Sequence, residues 1–467
     1  MKNKYLNLVK NVAIFALGSI GSKLIVFFLV PLYTNYLSTE EYGIADLVFT
    51  IAQLVVPIVS LVIFDAVIRF GLEDSDHPEK VLRSGLTVWL IGSVIGLVLL
   101  PLTELYPSVG PWKWYLYLYI VLDPLLAIEL NYLKIKNKNT FYAIICIIQT
   151  LFMAVFNILF LVCFHWGIGG YLASSILAMF IAVIVAAILG NTVRDVHSVR
   201  TDTQLLKNMV KYSAPLIINN LAWWLIQSSN KILIEGMIGA EALGLFTVAS
   251  RIPSLINVVV SVFQQAWGIS SIVEIDSTKD KDFFSNVFKW LTIGVCAACI
   301  ALNSIIQPFM HIYVGEEFFS AWKYVPLLVG AAAFSAIAAY FGSLYGALKK
   351  TVNNMISTLF AGVLSIGLAI VLIPFVGIWG AVIATFVAYL CLAVFRLIDV
   401  KRYINFDISY PTLIANGAIL LVHAVLISME KMPVWGSFVA IMLFVIVNVR
   451  EFKIAMKQIA KMFRRKN

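Results

Sequence analysis

Three cations stand inside stretches that are otherwise apolar enough to cross a bilayer. They are Lys23 within residues 11–33, Lys231 within 211–234 and Arg251 within 243–266. A cation near mid-membrane costs at least about 2.5 kcal/mol, so it is retained where it faces a polar cavity or an anion. At a rise of about 1.5 Å per residue, Lys23 lies about 15 Å from the outer end of its stretch and Arg251 about 12 Å. Lys231 stands close to the outer end of its own stretch, within snorkelling reach of the interface. The chemistry these groups suit is the non-covalent holding of an anion inside lipid.

Carboxylates accompany them. Asp46, Asp123 and Glu129 fall within apolar stretches, where each could neutralise a neighbouring cation or take up a coupling H⁺ or Na⁺. Asp65 and Arg69 are spaced i, i+4 at the inner end of the second stretch, which predicts an ion pair at the cytoplasmic mouth. At 100° per residue, Asp46, Thr50, Gln53, Pro57 and Ser60 share one narrow helix face. The seventh stretch gathers Trp223, Trp224, Gln227, Asn230 and Lys231, and the eighth gathers Thr247, Arg251, Ser254 and Asn257. Polar faces lose free energy against lipid, so these helices are expected to line a water-accessible cavity. Trp223 and Trp224 lie away from the interfacial belt where tryptophan collects, and either pack or offer faces for sugar rings.

The elements that must position these residues are membrane helices. Of 467 residues, 61% are hydrophobic and 13% charged, with a mean hydropathy of +0.93, which excludes a soluble domain. About fourteen stretches reach the roughly 20 residues needed to span. In order they are 11–33, 42–66, 84–102, 114–133, 142–164, 169–190, 211–234, 243–266, 286–306, 325–346, 355–376, 378–398, 411–429 and 435–449. With both termini cytoplasmic, only Lys113, Lys323 and Lys431 of the 34 basic residues fall in outer loops, besides the three cations already named. The net charge of +9 is therefore a topological signal and no nucleic-acid footprint. The basic tail from Glu451 to Lys466 suits a helix lying on anionic lipid.

The two halves echo each other. Leu37-Ser-Thr-Glu-Glu-Tyr-Gly43 is answered at an offset of 201 by Ile238-Gly-Ala-Glu-Ala-Leu-Gly244, and Gly167-Ile-Gly-Gly170 by Gly377-Ile-Trp-Gly380. The fold expected is all-α: two pseudo-symmetric six-helix lobes, residues 1–190 and 211–400, joined by a cytoplasmic linker at 191–210. Residues 401–467 then add two helices and the basic tail. The five cysteines all sit in apolar runs with no second ligand cluster, so no metal site or cofactor is expected. No phosphate-binding Gly-rich loop and no acid/base set on a large outer loop is present, which argues against an ATP-driven pump and against an enzyme.

The opening 11–33, the segment Tyr36-Leu-Ser-Thr-Glu-Glu-Tyr-Gly43, and Phe64-Asp-Ala-Val-Ile-Arg-Phe70 together resemble the polysaccharide biosynthesis family of oligosaccharide flippases. That family belongs to the multidrug/oligosaccharidyl-lipid/polysaccharide exporter superfamily. The resemblance implies a plasma-membrane transporter that turns a polyprenyl-pyrophosphate-linked (undecaprenyl-type) oligosaccharide from the cytoplasmic to the outer face, for capsule, O-antigen or exopolysaccharide assembly. Glycosyltransferases and a polymerase of the same pathway are its implied partners. It also implies cavity cations, supplied here by Lys23, Arg69, Lys231 and Arg251. The drive would come from H⁺ or Na⁺ coupling or from the membrane potential. A MATE-like multidrug or cation antiporter of the same superfamily is the alternative, although its cationic cargo would want an acidic cavity.

Overall fold

The computed structural model describes residues 25–73, 77–277, 281–431 and 434–454, so Lys23 lies outside the described residues. Every long regular element among them is a helix. In chain order these are α1 (Ile25–Tyr36), α2 (Thr39–Val59), α3 (Ile63–Glu73), α4 (Pro78–Leu99), α5 (Lys113–Ile135) and α6 (Asn139–Asn157). Then come α7 (Gly167–Gly190), α8 (Thr192–Ser198), α9 (Thr203–Ile238), α10 (Ala240–Ser277), α11 (Lys281–Ser304) and α12 (Ile306–Tyr313). The remainder are α13 (Val325–Ala347), α14 (Thr351–Val376), α15 (Ile378–Val400), α16 (Tyr410–Ser428) and α17 (Val434–Val447).

Eleven helices among the described residues are long and apolar enough to cross a membrane, which makes this a multi-pass integral membrane protein. The count of fourteen is thus reached only in part. Residues 11–33 contribute α1 alone to the described chain, and α17 is a 14-residue helix. The seventh stretch lies within α9, whose 36 residues are ample in length but too rich in amides and charges to read as apolar.

Local chemistry sets the helix ends. Ser38 caps α2: its Oγ accepts from the Glu41 N–H at 3.2 Å while the Glu41 carboxylate accepts from the Ser38 N–H at 2.9 Å, a reciprocal capping box. Asp202 caps α9 by accepting from the N–H groups of Gln204 and Leu205. The stretch 42–66 is not one helix. Ser60 turns its hydroxyl back to the Val56 carbonyl at 2.7 Å, and Leu61 and Val62 both take φ of 52° before α3 begins. A left-handed β-branched valine is a costly conformation, held here by complete burial of Val62 and by its N–H donating to Ser60 Oγ at 3.2 Å.

The chain forms two compact units, one running to Thr247 and including Val314–Phe318, the other comprising Val248–Tyr313 and the chain from Phe319. The division falls inside α10 and not in the linker 191–210, because α9 packs on α2, α3 and α4 of the first unit. In that unit α5 meets α2, α3, α4 and α7, around cores built on residues such as Val67, Leu82 and Tyr132 and on Leu133, Ile145 and Ala182. In the second unit α13 is the most enclosed span and packs against α11, α14, α15 and α16. The linker helix α8 is tied down by Asp195, which binds Lys136 Nζ and accepts from Tyr132 Oη at 2.7 Å. Partial burial pushes the Asp195 carboxyl up, yet the bonds from Lys136 and Tyr132 outweigh it and hold the group below the usual carboxylate value.

Candidate functional site

The polar stripe of α2 faces α9. Lys231 Nζ meets Asp46 Oδ2 at 2.7 Å, and Thr247 Oγ1 donates to the same oxygen at 3.0 Å. One turn further along α2, Trp224 Nε1 donates to the Thr50 carbonyl at 3.0 Å. The Asp46 side chain is 6% exposed and that of Lys231 18%, so the pair is withdrawn from bulk water while its ammonium keeps some access. A partly desolvated ion pair of this kind is attractive, but it also presents a cation that a stronger anion can recruit.

α9 continues to Ile238, so Lys231 stands nearly two turns before the helix end, with its ammonium turned to Asp46. Glu235, one turn beyond, could have competed for the ammonium; it is instead engaged by the hydroxyls of Tyr106 and Ser108.

What brings α2 so near the α9–α10 turn is a pair of glycines. A Cβ on Gly43 would stand 2.1 Å from the Ala240 carbonyl oxygen, and a Cβ on Gly244 would stand 1.9 Å from that of Thr39. Neither position admits a side chain without moving backbone. Thr39 and Ala240, Gly43 and Gly244, and Asp46 and Thr247 are each related by the offset of 201 found in the repeat, so equivalent residues of the two halves meet one another here. The α1–α2 turn nearby is held by Gly315, whose N–H donates to Thr34 Oγ1 at 3.1 Å, and by Phe318, whose ring lies edge-on to Tyr42.

A second cluster lies along the same stripe. Tyr119 stands beside Gln53 and Asp123, and its ring packs 5.2 Å from Phe49. Gln53 and Gln227 are exposed, whereas Trp223, Trp224 and Asp123 are half-buried. Glu129 is not near these groups; it accepts from Thr192 Oγ1 at 2.6 Å near the inner end of α5. Arg251 and Asn257 lie on α10 in the second unit, half-buried and exposed respectively.

Arg69 departs from expectation. It pairs with Glu73 at 2.5 Å rather than with Asp65, and both side chains are more than half exposed. Asp65 is half-buried and interacts with Lys134 of α5, whereas the longer Arg69 side chain, on the same helix face, reaches out to solvent. Arg396 departs further. It counts by position among the cytoplasmic loop cations, yet it is 1% exposed. Its Nε donates to Ser357 Oγ, Nη1 to the Ala338 carbonyl, and Nη2 to Thr358 Oγ1 and the Asn354 carbonyl, at 2.8–3.3 Å. Gly342 leaves room for it, since a Cβ there would lie 2.9 Å from Nη1. Among the described residues no cluster of metal-ligating side chains occurs.

Residues 8–267 match the family described as polysaccharide biosynthesis protein, which is more than half of the chain. The chain belongs to this family. No curated protein matches it. Among solved structures, this family member is similar in fold to the lipid II flippase MurJ in an inward closed conformation, with a TM-score of 0.70 at 16% identity. That alignment covers 96% of this chain and 99% of the other. It is similar also to an inward-facing multidrug resistance MATE transporter of the MOP superfamily, with a TM-score of 0.68 at 14% identity over 82% of this chain and 94% of that one. An outward-facing MATE transporter gives 0.58 at 13% identity over 84% and 95%. The family is thus that of polysaccharide biosynthesis proteins, and the fold is the one these solved membrane proteins share.

Proposed function

We propose that this family member turns a polyprenyl-pyrophosphate-linked oligosaccharide from the cytoplasmic to the outer face of the plasma membrane, by alternating access, for surface polysaccharide assembly. The observation that carries the reading is Lys231, a cation held on the polar stripe of membrane helices and tethered to Asp46 with part of its surface open. A pyrophosphate bearing sugars pays heavily to enter hydrocarbon while its lipid tail does not, so the carrier must supply positive charge and amides within the membrane. Lys231, Gln53 and Gln227 supply them from the first unit, where Trp223 adds an aromatic face; Arg251 and Asn257 are the candidates of like chemistry in the second unit. Lys23 completes the cationic set by its place in the sequence.

Asp46, the carboxylate that meets Lys231, is already paired with it and is therefore less available to a cationic cargo. With the cell interior negative, outward movement of negative charge gains about 2.3 kcal/mol per charge per 100 mV.

The test is reconstitution in vesicles with a fluorescent lipid-linked oligosaccharide, flux being read by protection from an external quencher. Lys231→Gln should lower flux about tenfold or more with folding retained, and an imposed inside-negative potential should raise outward flux. Unaltered flux in Lys231→Gln, or transport of organic cations in preference to the lipid-linked sugar, would sink the reading.

A further inference from the structure

The second unit contains a polar pocket, with a volume of about 490 Å³, that the transport reading does not use. Its walls are the first turns of α11, the segment 407–409 with the start of α16, and the residues after α17. The volume is in the range of about 300–1,000 Å³ typical of small-ligand sites.

Two cations and two carboxylates line the pocket. Lys289 Nζ meets Glu451 Oε2 at 2.8 Å, an ion pair along one wall. Asp407 and Arg450 are exposed at the rim. The backbone N–H of Asp407 donates to Ser285 Oγ at 2.8 Å, which pins the carboxylate-bearing segment to α11. The floor is a reciprocal amide pair, Asn416 with Asn448, at 3.2 and 2.8 Å, both side chains buried. The pocket is thus built and charge-balanced, and a pure anion entering it would meet two carboxylates.

Its level is set by the helix ends. α11, α14 and α16 begin, and α13, α15 and α17 end, on the side that also carries Lys349, Lys350, Lys401 and Arg402. By loop charge this is the side of lipid phosphates and aqueous interface. Next to the rim the surface is apolar: Ile414 is 67% exposed, Ile446 60% and Val449 44%. Acyl chains would cover that surface while a headgroup fills the pocket.

We propose that the pocket binds a phospholipid whose headgroup carries both a phosphate and a primary ammonium, the phosphate against Arg450 and the ammonium against Asp407. The recognition chemistry is two charge-assisted contacts of opposite sign, with the acyl chains on the α16–α17 surface. This inference stands apart from the transported cargo.

The test uses the full chain, delipidated in detergent, with binding read by native mass spectrometry and by the lipid-induced rise in melting midpoint. The probes are phosphatidylethanolamine, phosphatidylglycerol and soluble phosphoethanolamine. Wild type should prefer phosphatidylethanolamine over phosphatidylglycerol by about tenfold, a difference of about 1.4 kcal/mol. Arg450→Gln should weaken both lipids, and Asp407→Asn should erase the preference between them. Both side chains are exposed, so the melting midpoint without lipid should not move in either variant. Equal binding of the two lipids by wild type, or wild-type binding by Arg450→Gln, overturns the proposal. Soluble phosphoethanolamine binding as tightly as the lipid would assign the site to a free phosphate ester and overturn the lipid.

Discussion

Lys231 and Arg396 are both cations drawn into the body of a membrane protein, and the two regions treat them in opposite ways. Lys231 is answered by one carboxylate from another helix, and its side chain keeps 18% of its surface. Arg396 is sealed at 1% and receives no carboxylate contact from its hydrogen-bonding partners, only two hydroxyls and two backbone carbonyls from α13 and α14. The guanidinium fork fits such a fixed set of neutral acceptors, whereas an ammonium on a flexible stem makes a single strong contact that can be exchanged. The first arrangement suits a group that must let go and bind something else. The second suits a clamp that joins α15 to its neighbours for good.

The largest effect that would separate them is on stability. Arg396→Leu should remove four hydrogen bonds from the interior and cost about 3 kcal/mol or more, visible as a lower melting midpoint in detergent. A midpoint within error of wild type would mean the clamp contributes nothing.

Asp46→Asn should cost about 2 kcal/mol, less than full burial would demand because Lys231 keeps some access to water. Adding Lys231→Gln should recover at least about 1 kcal/mol of it, a coupling that a double-mutant cycle would measure. Simple additivity of the two changes would show that the pair does not interact.

The smallest effect is expected at the exposed end of the scale. Arg69→Gln should change stability by less than about 0.5 kcal/mol, since its pairing with Glu73 is solvated on both sides. A loss comparable to that of Asp46→Asn would erase the distinction between surface and buried cations drawn above.

Much of this was legible in the residues. The stripe of Asp46, Thr50 and Gln53 follows from helical periodicity alone, and the structure turns its first two members to α9. Asp46 was a candidate partner for a membrane cation because isolated carboxylates at that depth need one. The Arg69 partner was not legible, because Asp65 and Glu73 both stand four residues away and only packing on α5 decides between them. Arg396 was hidden by the loop-charge argument, which treats every basic residue near a span end alike and says nothing of where its side chain points. The break after Val59 lies two residues past Pro57, a helix-ending signal that is masked because 42–66 reads as one continuous apolar stretch. The partners of Glu235 were not legible either, because the Tyr106 and Ser108 hydroxyls that engage it come from a loop distant in sequence.

The matching of each residue with its counterpart at the Gly43–Gly244 contact has an ancestral consequence. A half-length forebear pairing with a second copy of itself would have used one self-complementary patch, as isologous dimers do. In such a dimer an aspartate at position 46 would have faced an aspartate, two like charges in a dry setting. Fusion leaves the copies free to differ, and here Thr247 donates a hydrogen bond where its counterpart carries a charge.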